Sequence, residues 1–304
     1  MNLLLTGCLN YTKDQRDKLV SLGYRIYFMQ QETDALPLAA EEVDAMVCNG
    51  LFLTHNIEDF SRLKFIQLTS AGFDRVPVDY IKKNGMMLHN AKGVYSVPMA
   101  EWALYRVLEH YKCGWFFKNE QEHRRWTKHR GLRELAGCSV AVVGAGNVGQ
   151  EVAKRFGALG CHVTGFDIHT NETPYFDEMS LTSTLLEHIG RFDVVVITAP
   201  LLPSTRGLIS YDMMMGMKEN ATLVNIARGG LIDQEALITV FNQRKDLFAA
   251  LDVFEIEPLD TDSPLWEMDN VAISPHNSFV SDGNNTRMFE VIYHNLKTFI
   301  KNQV

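Results

Sequence analysis

In the second half of the chain, side chains able to bind ligands or move protons stand where apolar runs stop. They are Asp167, Thr198, Arg228, Asp252 and His276, with Glu257 a few residues past Asp252. An arginine can hold a carboxylate through a bidentate pair. An imidazole titrates near neutrality and can pass a proton to a carbonyl oxygen, and a neighbouring carboxylate favours its protonated form. Singly, each has an ordinary alternative: Arg228 as a turn residue before Gly229-Gly230, His276 as one of ten histidines, Glu257 as a solvated charge in an acidic loop. Their recurrence at equivalent strand ends points to a site, because ligands of open parallel sheets gather at the carboxyl ends of strands.

The segment Gly144-Ala145-Gly146-Asn147-Val148-Gly149 is a GxGxxG motif, weak by itself but strong in its setting. It directly follows the apolar run Ser139 to Val143 and opens a helical pattern from Asn147 to Leu159. Gly144 suits the tight turn, Gly146 lets backbone approach a pyrophosphate, and Gly149 lets the helix pack on the sheet. The first N–H groups of that helix, at Asn147 and Val148, and its positive dipole end favour a diphosphate. Asp167 closes the next apolar run, 18 residues beyond Gly149. A carboxylate there can accept both ribose hydroxyls of NAD and repels the 2′-phosphate of NADP. No Arg or Lys follows it through Asn171 to offset that repulsion. NAD is the cofactor expected, and hydride from NADH would complement a proton from His276.

The elements that must position these residues read as alternating strands and helices. Early strands are expected at Leu3 to Leu5, Tyr24 to Phe28, Ala45 to Cys48, Phe65 to Thr69 and Met86 to His89. Helical stretches at Asp14 to Leu22 and Ile57 to Leu63 separate them, which means βαβ units and a mostly parallel sheet. A longer helix starts at Ser96 and runs to about Lys112. Six further strands follow: Ser139 to Val143, His162 to Phe166, Asp193 to Thr198, Thr222 to Ile226, Phe248 to Val253 and Val271 to Ser274. Six strands with intervening helices is the count of a complete doubly wound dinucleotide-binding domain. The tail is helical, with Met288, Val291, Ile292, Phe299 and Ile300 at three- and four-residue intervals.

Composition narrows the class further. The 304 residues are 46% hydrophobic, enough for two domains with substantial cores. A net charge of −8 argues against a nucleic-acid partner, and the basic stretch Arg124 to Arg133 reads as a solvated or interface segment. Five scattered cysteines without a CxxC pair suggest neither a disulfide framework nor a metal site, so a reducing cytoplasm is expected. No membrane span is expected, since no apolar run approaches the roughly 18 residues required.

Several longer segments resemble the D-isomer-specific 2-hydroxyacid dehydrogenase family over nearly the whole chain. Asn225 to Asp233 is similar to its arginine signature, Leu251 to Leu259 to its glutamate signature, and Ser274-Pro275-His276 to its histidine signature. Ala199 to Gly207 resembles the loop lining the adenine side. The resemblance implies a Rossmann doubly wound parallel cofactor domain at 93–279, and a smaller flavodoxin-like α/β substrate domain at 1–92 with 280–304. It implies Arg228, Glu257 and His276 as the catalytic set. It adds Ala199, Pro200, Thr205 and Ala227 as cofactor contacts, with Asp252 holding the nicotinamide carboxamide. Thr69 to Asp74 matches the loop whose N–H groups hold the substrate carboxylate, so Ser70, Ala71 and Gly72 inherit that role. Relatives are usually homodimers through the cofactor domain, and Trp115, Phe116, Phe117 and Trp126 suit either that contact or core packing.

Two departures matter. The chain reads His276-Asn277-Ser278 where the family has a residue followed by Gly or Ala. It reads Cys48-Asn49-Gly50 where phosphoglycerate-using relatives carry arginines. The expected substrate is therefore a small or apolar, unphosphorylated 2-keto acid, interconverted with its D-2-hydroxy acid. The rival is an NAD(H)-sensing interaction protein resembling the corepressors that share this fold.

Overall fold

A computed structural model describes residues 1–302, in which the apolar runs form two parallel sheets. The chain divides into two units, residues 1–95 with 281–304 and residues 96–280.

In the first unit, β1 (Asn2–Thr6), β2 (Arg25–Met29), β3 (Ala45–Cys48), β4 (Phe65–Leu68) and β5 (Met87–His89) form one sheet in the order β2-β1-β3-β4-β5. Every pairing is parallel. Successive side chains leave opposite faces of a strand. Leu3, Leu5, Ala45, Val47 and Phe65 therefore build one core, and Leu4, Met46, Cys48 and Ile66 the other. The first core is closed by the last helix, Asn284–Lys301, through Met288, Ile292, Leu296 and Phe299. The Phe299 ring lies 4.9 Å from that of Phe65, and the Tyr24 hydroxyl donates to the Leu296 carbonyl at 2.8 Å.

The helix expected over Ile57 to Leu63 is shorter, a single 3-10 turn at Ile57–Asp59 capped by the Asn56 side chain. Phe60 leaves helical geometry and is buried in the second core, turning the chain toward β4.

The second unit contains β6 (Ser139–Val143), β7 (His162–Asp167), β8 (Glu178–Leu181), β9 (Val194–Ile197), β10 (Thr222–Asn225), β11 (Phe248–Leu251) and β12 (Val271–Ile273). Their order is β12-β11-β10-β9-β6-β7-β8, all parallel. The sequence suggested six strands, and the seventh is β8. Its residues, Glu-Met-Ser-Leu, carry no continuous apolar run because an edge strand is covered less than an inner one. The inner strands β6, β9 and β10 are almost wholly buried, as their Val-rich sequences require. Strand order reverses between β6 and β9, which places the carboxyl ends of those strands at the topological switch point. The helices Ser96–Tyr111 and Asn147–Ala158 cover one face through Ala100, Ala103, Val107, Val152 and Phe156. Among the described residues, no helix is long and apolar enough to cross a membrane.

Candidate active site

The glycine loop leaves β6 at the switch point. Gly144 has φ +104°, and a Cβ there would stand 2.6 Å from the Ala199 amide nitrogen. A Cβ on Gly149 would stand 2.0 Å from the Gly144 carbonyl oxygen, so neither position accepts a side chain. Nothing lies within 4 Å of the equivalent point on Gly146, so backbone there faces open space. The Thr198 hydroxyl, at the end of β9, ties the loop down by donating to the Gly144 carbonyl at 2.6 Å. The helix that follows starts at Asn147 without a side-chain cap, which leaves its first-turn N–H groups available to an anion. Asp167 ends β7 beside this loop. One of its oxygens accepts the Ala145 N–H and the other the Ile168 N–H, each at 2.7 Å. Each oxygen keeps a lone pair for a ribose hydroxyl. Open backbone at Gly146, uncapped amides and a carboxylate alongside fit a dinucleotide.

Ala199 and Ala227 are buried at the ends of β9 and β10, while Pro200 is exposed. The Thr205 hydroxyl accepts the Leu202 N–H at 2.8 Å and donates to the Pro200 carbonyl at 2.7 Å, which folds the loop over 199–207.

Arg228 follows β10, and its position depends on Asn225. That fully buried side chain accepts the Ala227 N–H at 3.1 Å and donates to the Arg228 carbonyl at 3.0 Å. The turn projects the Arg228 guanidinium, whose Nη1 donates to the Ala227 carbonyl at 2.7 Å. No carboxylate pairs with it among the described residues. Sequence reasoning missed Asn225, although an Asn at a strand end is a known former of such turns.

His276 occupies the left-handed region at φ +49°. Its N–H donates to the Asp252 carbonyl at 2.8 Å. The Asp252 side chain is completely buried. It accepts the Asn277 N–H at 2.8 Å, the Ser278 N–H at 2.9 Å and the Ser274 hydroxyl. The carboxylate expected to reach the nicotinamide thus faces inward and organises the loop carrying His276. The departure Asn277-Ser278 lies in this loop, where both backbone amides serve Asp252 and the Ser278 hydroxyl is buried without a partner.

Glu257 comes back from the loop after β11 to meet the imidazole. Its Oε2 stands 2.7 Å from His276 Nδ1, and its Oε1 accepts the Phe254 N–H at 3.0 Å. A carboxylate only accepts, so Nδ1 carries the hydrogen and Nε2 is left as the proton-transferring nitrogen. The Phe279 ring packs edge-on against the imidazole, 5.8 Å between centroids. Arg228, Glu257 and His276 line one recess of about 280 Å³ with Leu201, Phe254, Gly229 and the Arg206–Glu255 ion pair.

In the first unit, the loop after β4 holds Ser70, Ala71 and Gly72. The Ser70 hydroxyl donates to the Gly72 carbonyl at 2.9 Å, and the Asn90 amide donates to the Ala71 carbonyl at 2.6 Å. The loop carbonyls are thereby occupied. The backbone N–H groups from Ser70 to Phe73 have no acceptor among the described residues. Four free amides in succession suit a carboxylate.

Comparison with known proteins identifies the family. Residues 104–278 match the model of the D-isomer specific 2-hydroxyacid dehydrogenase NAD binding domain. The chain belongs to the D-isomer specific 2-hydroxyacid dehydrogenase family and carries its NAD-binding domain. It is 33% identical to a hydroxypyruvate reductase of Thermotoga maritima, over 81% of either chain. It is 34% identical to a D-3-phosphoglycerate dehydrogenase of Methanocaldococcus jannaschii over 78% of this chain, but spans only 46% of that relative's length. The crystal structure of a D-isomer specific 2-hydroxyacid dehydrogenase family protein from Aeromonas salmonicida superposes with a TM-score of 0.82 at 26% identity. That match covers 99% of this chain and 96% of the other.

Proposed function

We propose that the chain is an NAD-dependent reductase interconverting a small, unphosphorylated 2-keto acid and its D-2-hydroxy acid. The observation that carries this reading is the 2.7 Å His276–Glu257 pair, which shares a recess with an arginine that has no carboxylate partner. NADH, when bound, supplies the hydride. Gly144, Gly146, Gly149 and the first helical amides hold the diphosphate, and Asp167 holds the adenosine ribose and disfavours a 2′-phosphate. Arg228 grips the substrate carboxylate and polarises the adjacent carbonyl, and in the first unit the free amides of Ser70, Ala71 and Gly72 are assigned to substrate binding. His276 Nε2 gives its proton to the carbonyl oxygen as the carbon is reduced. In the oxidative direction the same nitrogen takes the hydroxyl proton. Glu257 keeps the ring in one tautomer and offsets its positive charge.

Following NADH absorbance with glyoxylate, pyruvate, hydroxypyruvate and branched 2-keto acids tests the reading. Turnover of at least one is expected. Tight NADH binding with no turnover of any 2-keto acid would instead favour the sensor reading.

The chain acts as a homodimer through the second unit in the reducing cytoplasm. All five cysteines are free thiols. Around the helix Gly114–Glu122, Trp126 is 98% exposed and Trp115 62%, an aromatic surface that association would cover. Sedimentation equilibrium should give twice the chain mass, and a monomer at micromolar concentration would refute the assembly.

A further inference from the structure

Cys138 and Cys161 stand 23 positions apart in the chain, too far for a sequence motif to pair them. The second sheet brings them side by side. The parallel ladder between β6 and β7 begins where Ser139 pairs with His162, and one residue upstream on each strand are Cys138 and Cys161. Hydrogen bonds hold the two chains together on either side of the cysteines. The Gly137 N–H donates to the Gly160 carbonyl at 2.8 Å, and the His162 N–H donates to the Cys138 carbonyl at 2.9 Å. Neighbouring strands lie about 4.8 Å apart, inside the roughly 4.4–6.8 Å between Cα atoms that a disulfide spans.

The two side chains also share a face. Cys161 is buried in the core that contains Val140, Phe156 and Val163, and half-buried Cys138 packs against the same core. Both S–H groups are aimed at one stretch of backbone. The Cys138 thiol donates to the Glu134 carbonyl at 3.4 Å, and the Cys161 thiol donates to the next carbonyl, that of Leu135, at 3.3 Å. Burial pushes the Cys138 thiol up and the Cys161 thiol up to about 11, so both rest as protonated donors at neutral pH.

We propose that Cys138 and Cys161 form a reversible disulfide that locks the amino ends of β6 and β7 together. The glycine loop and Asp167 lie at the opposite ends of these strands, so the pair is a modification site separate from the recess. The oxidant is a low-molecular-weight disulfide. Cys138 is the more accessible sulfur, and its thiolate attacks the small disulfide, forming a mixed disulfide and releasing one thiolate. The Cys161 thiolate then attacks the Cys138 sulfur, which forms the Cys138–Cys161 bond and releases the second thiolate. The protein gives up two electrons and two protons, and the small disulfide becomes two thiols. Disulfides of this kind in a reducing compartment are transient and report its redox state.

The test treats the protein with oxidised glutathione, alkylates the remaining thiols and maps peptides by mass spectrometry. The wild-type protein should lose two of its five free thiols and yield cross-linked peptides joining Cys138 to Cys161, which dithiothreitol separates. Closing this loop should raise Tm by about 5–10 °C over the reduced protein. Cys161→Ala should stop at a glutathione adduct on Cys138 with no such rise. Cys138→Ala should leave the buried Cys161 unmodified. A stable adduct on wild-type Cys138 with Cys161 still free would overturn the proposal. So would a cross-link between other cysteines, retention of all five thiols, or a Cys138–Cys161 bond that leaves Tm unchanged.

Discussion

Replacing His276 with asparagine is expected to lower kcat by about 10²- to 10⁴-fold, the range for losing a positioned general acid. Asparagine is the informative choice because position 276 sits at φ +49°, a conformation that Asn tolerates better than most residues. The substitution then removes the imidazole while straining the backbone least. Affinity for NADH should stay within about two-fold, since the loop amides and Asp167 that we assign to the dinucleotide lie at the ends of other strands. Glu257→Gln should reduce kcat less, because the neutral amide can still accept from Nδ1 but no longer offsets the imidazolium charge. Steady-state kinetics with cofactor titration by fluorescence measures both quantities. Turnover by the His276→Asn protein at the wild-type rate would remove the proton-transfer assignment.

Asp252→Ala should be the most destabilising single change in the second unit. The carboxylate is wholly buried and takes three donors, the Ser274 hydroxyl and the amides of Asn277 and Ser278. Removing it leaves all three without their acceptor, two of them, the Ser274 hydroxyl and the Ser278 N–H, in buried residues. An orphaned buried group costs about 1–3 kcal/mol, and relief of the buried charge offsets part of that, so the net loss should be about 3–5 kcal/mol. At about 2–4 °C per kcal/mol for a unit of this size, Tm should fall by roughly 10 °C. Activity should fall too, because the same residue's carbonyl accepts the His276 N–H. Thermal unfolding followed by circular dichroism reads the shift. A Tm within about 1 °C of wild type would show that the carboxylate does not hold the loop.

The two predictions rest on features of different visibility. His276 and Glu257 are legible because each follows an apolar strand, and strand ends of a parallel sheet are where ligands bind. Asp252 is equally legible as a strand-end carboxylate, but its direction is not. The family resemblance gave it a cofactor contact, and only the fold turns it toward the amides of the loop that carries His276. Asn225 passed unnoticed because an Asn after an apolar run also suits an ordinary turn. Strand β8 escaped because the pattern that reveals inner strands is produced by burial on both faces, and an edge strand has less of it.

The sequence by itself determined the parallel α/β class, the positions of the inner strands, the dinucleotide loop and the family. The first three follow from local rules: side-chain periodicity, the glycines a strand–loop–helix turn demands, and the charge that suits a ribose; the family follows from the resemblance of the arginine, glutamate and histidine signatures. Tertiary structure decided which polar atoms meet. It set Glu257 against Nδ1 of His276 across 19 residues of chain and saturated Asp252 from within. Such contacts depend on rotamer, register and loop path together. No single-residue preference encodes them, and they form only when the packed sheet fixes the loops at its edge.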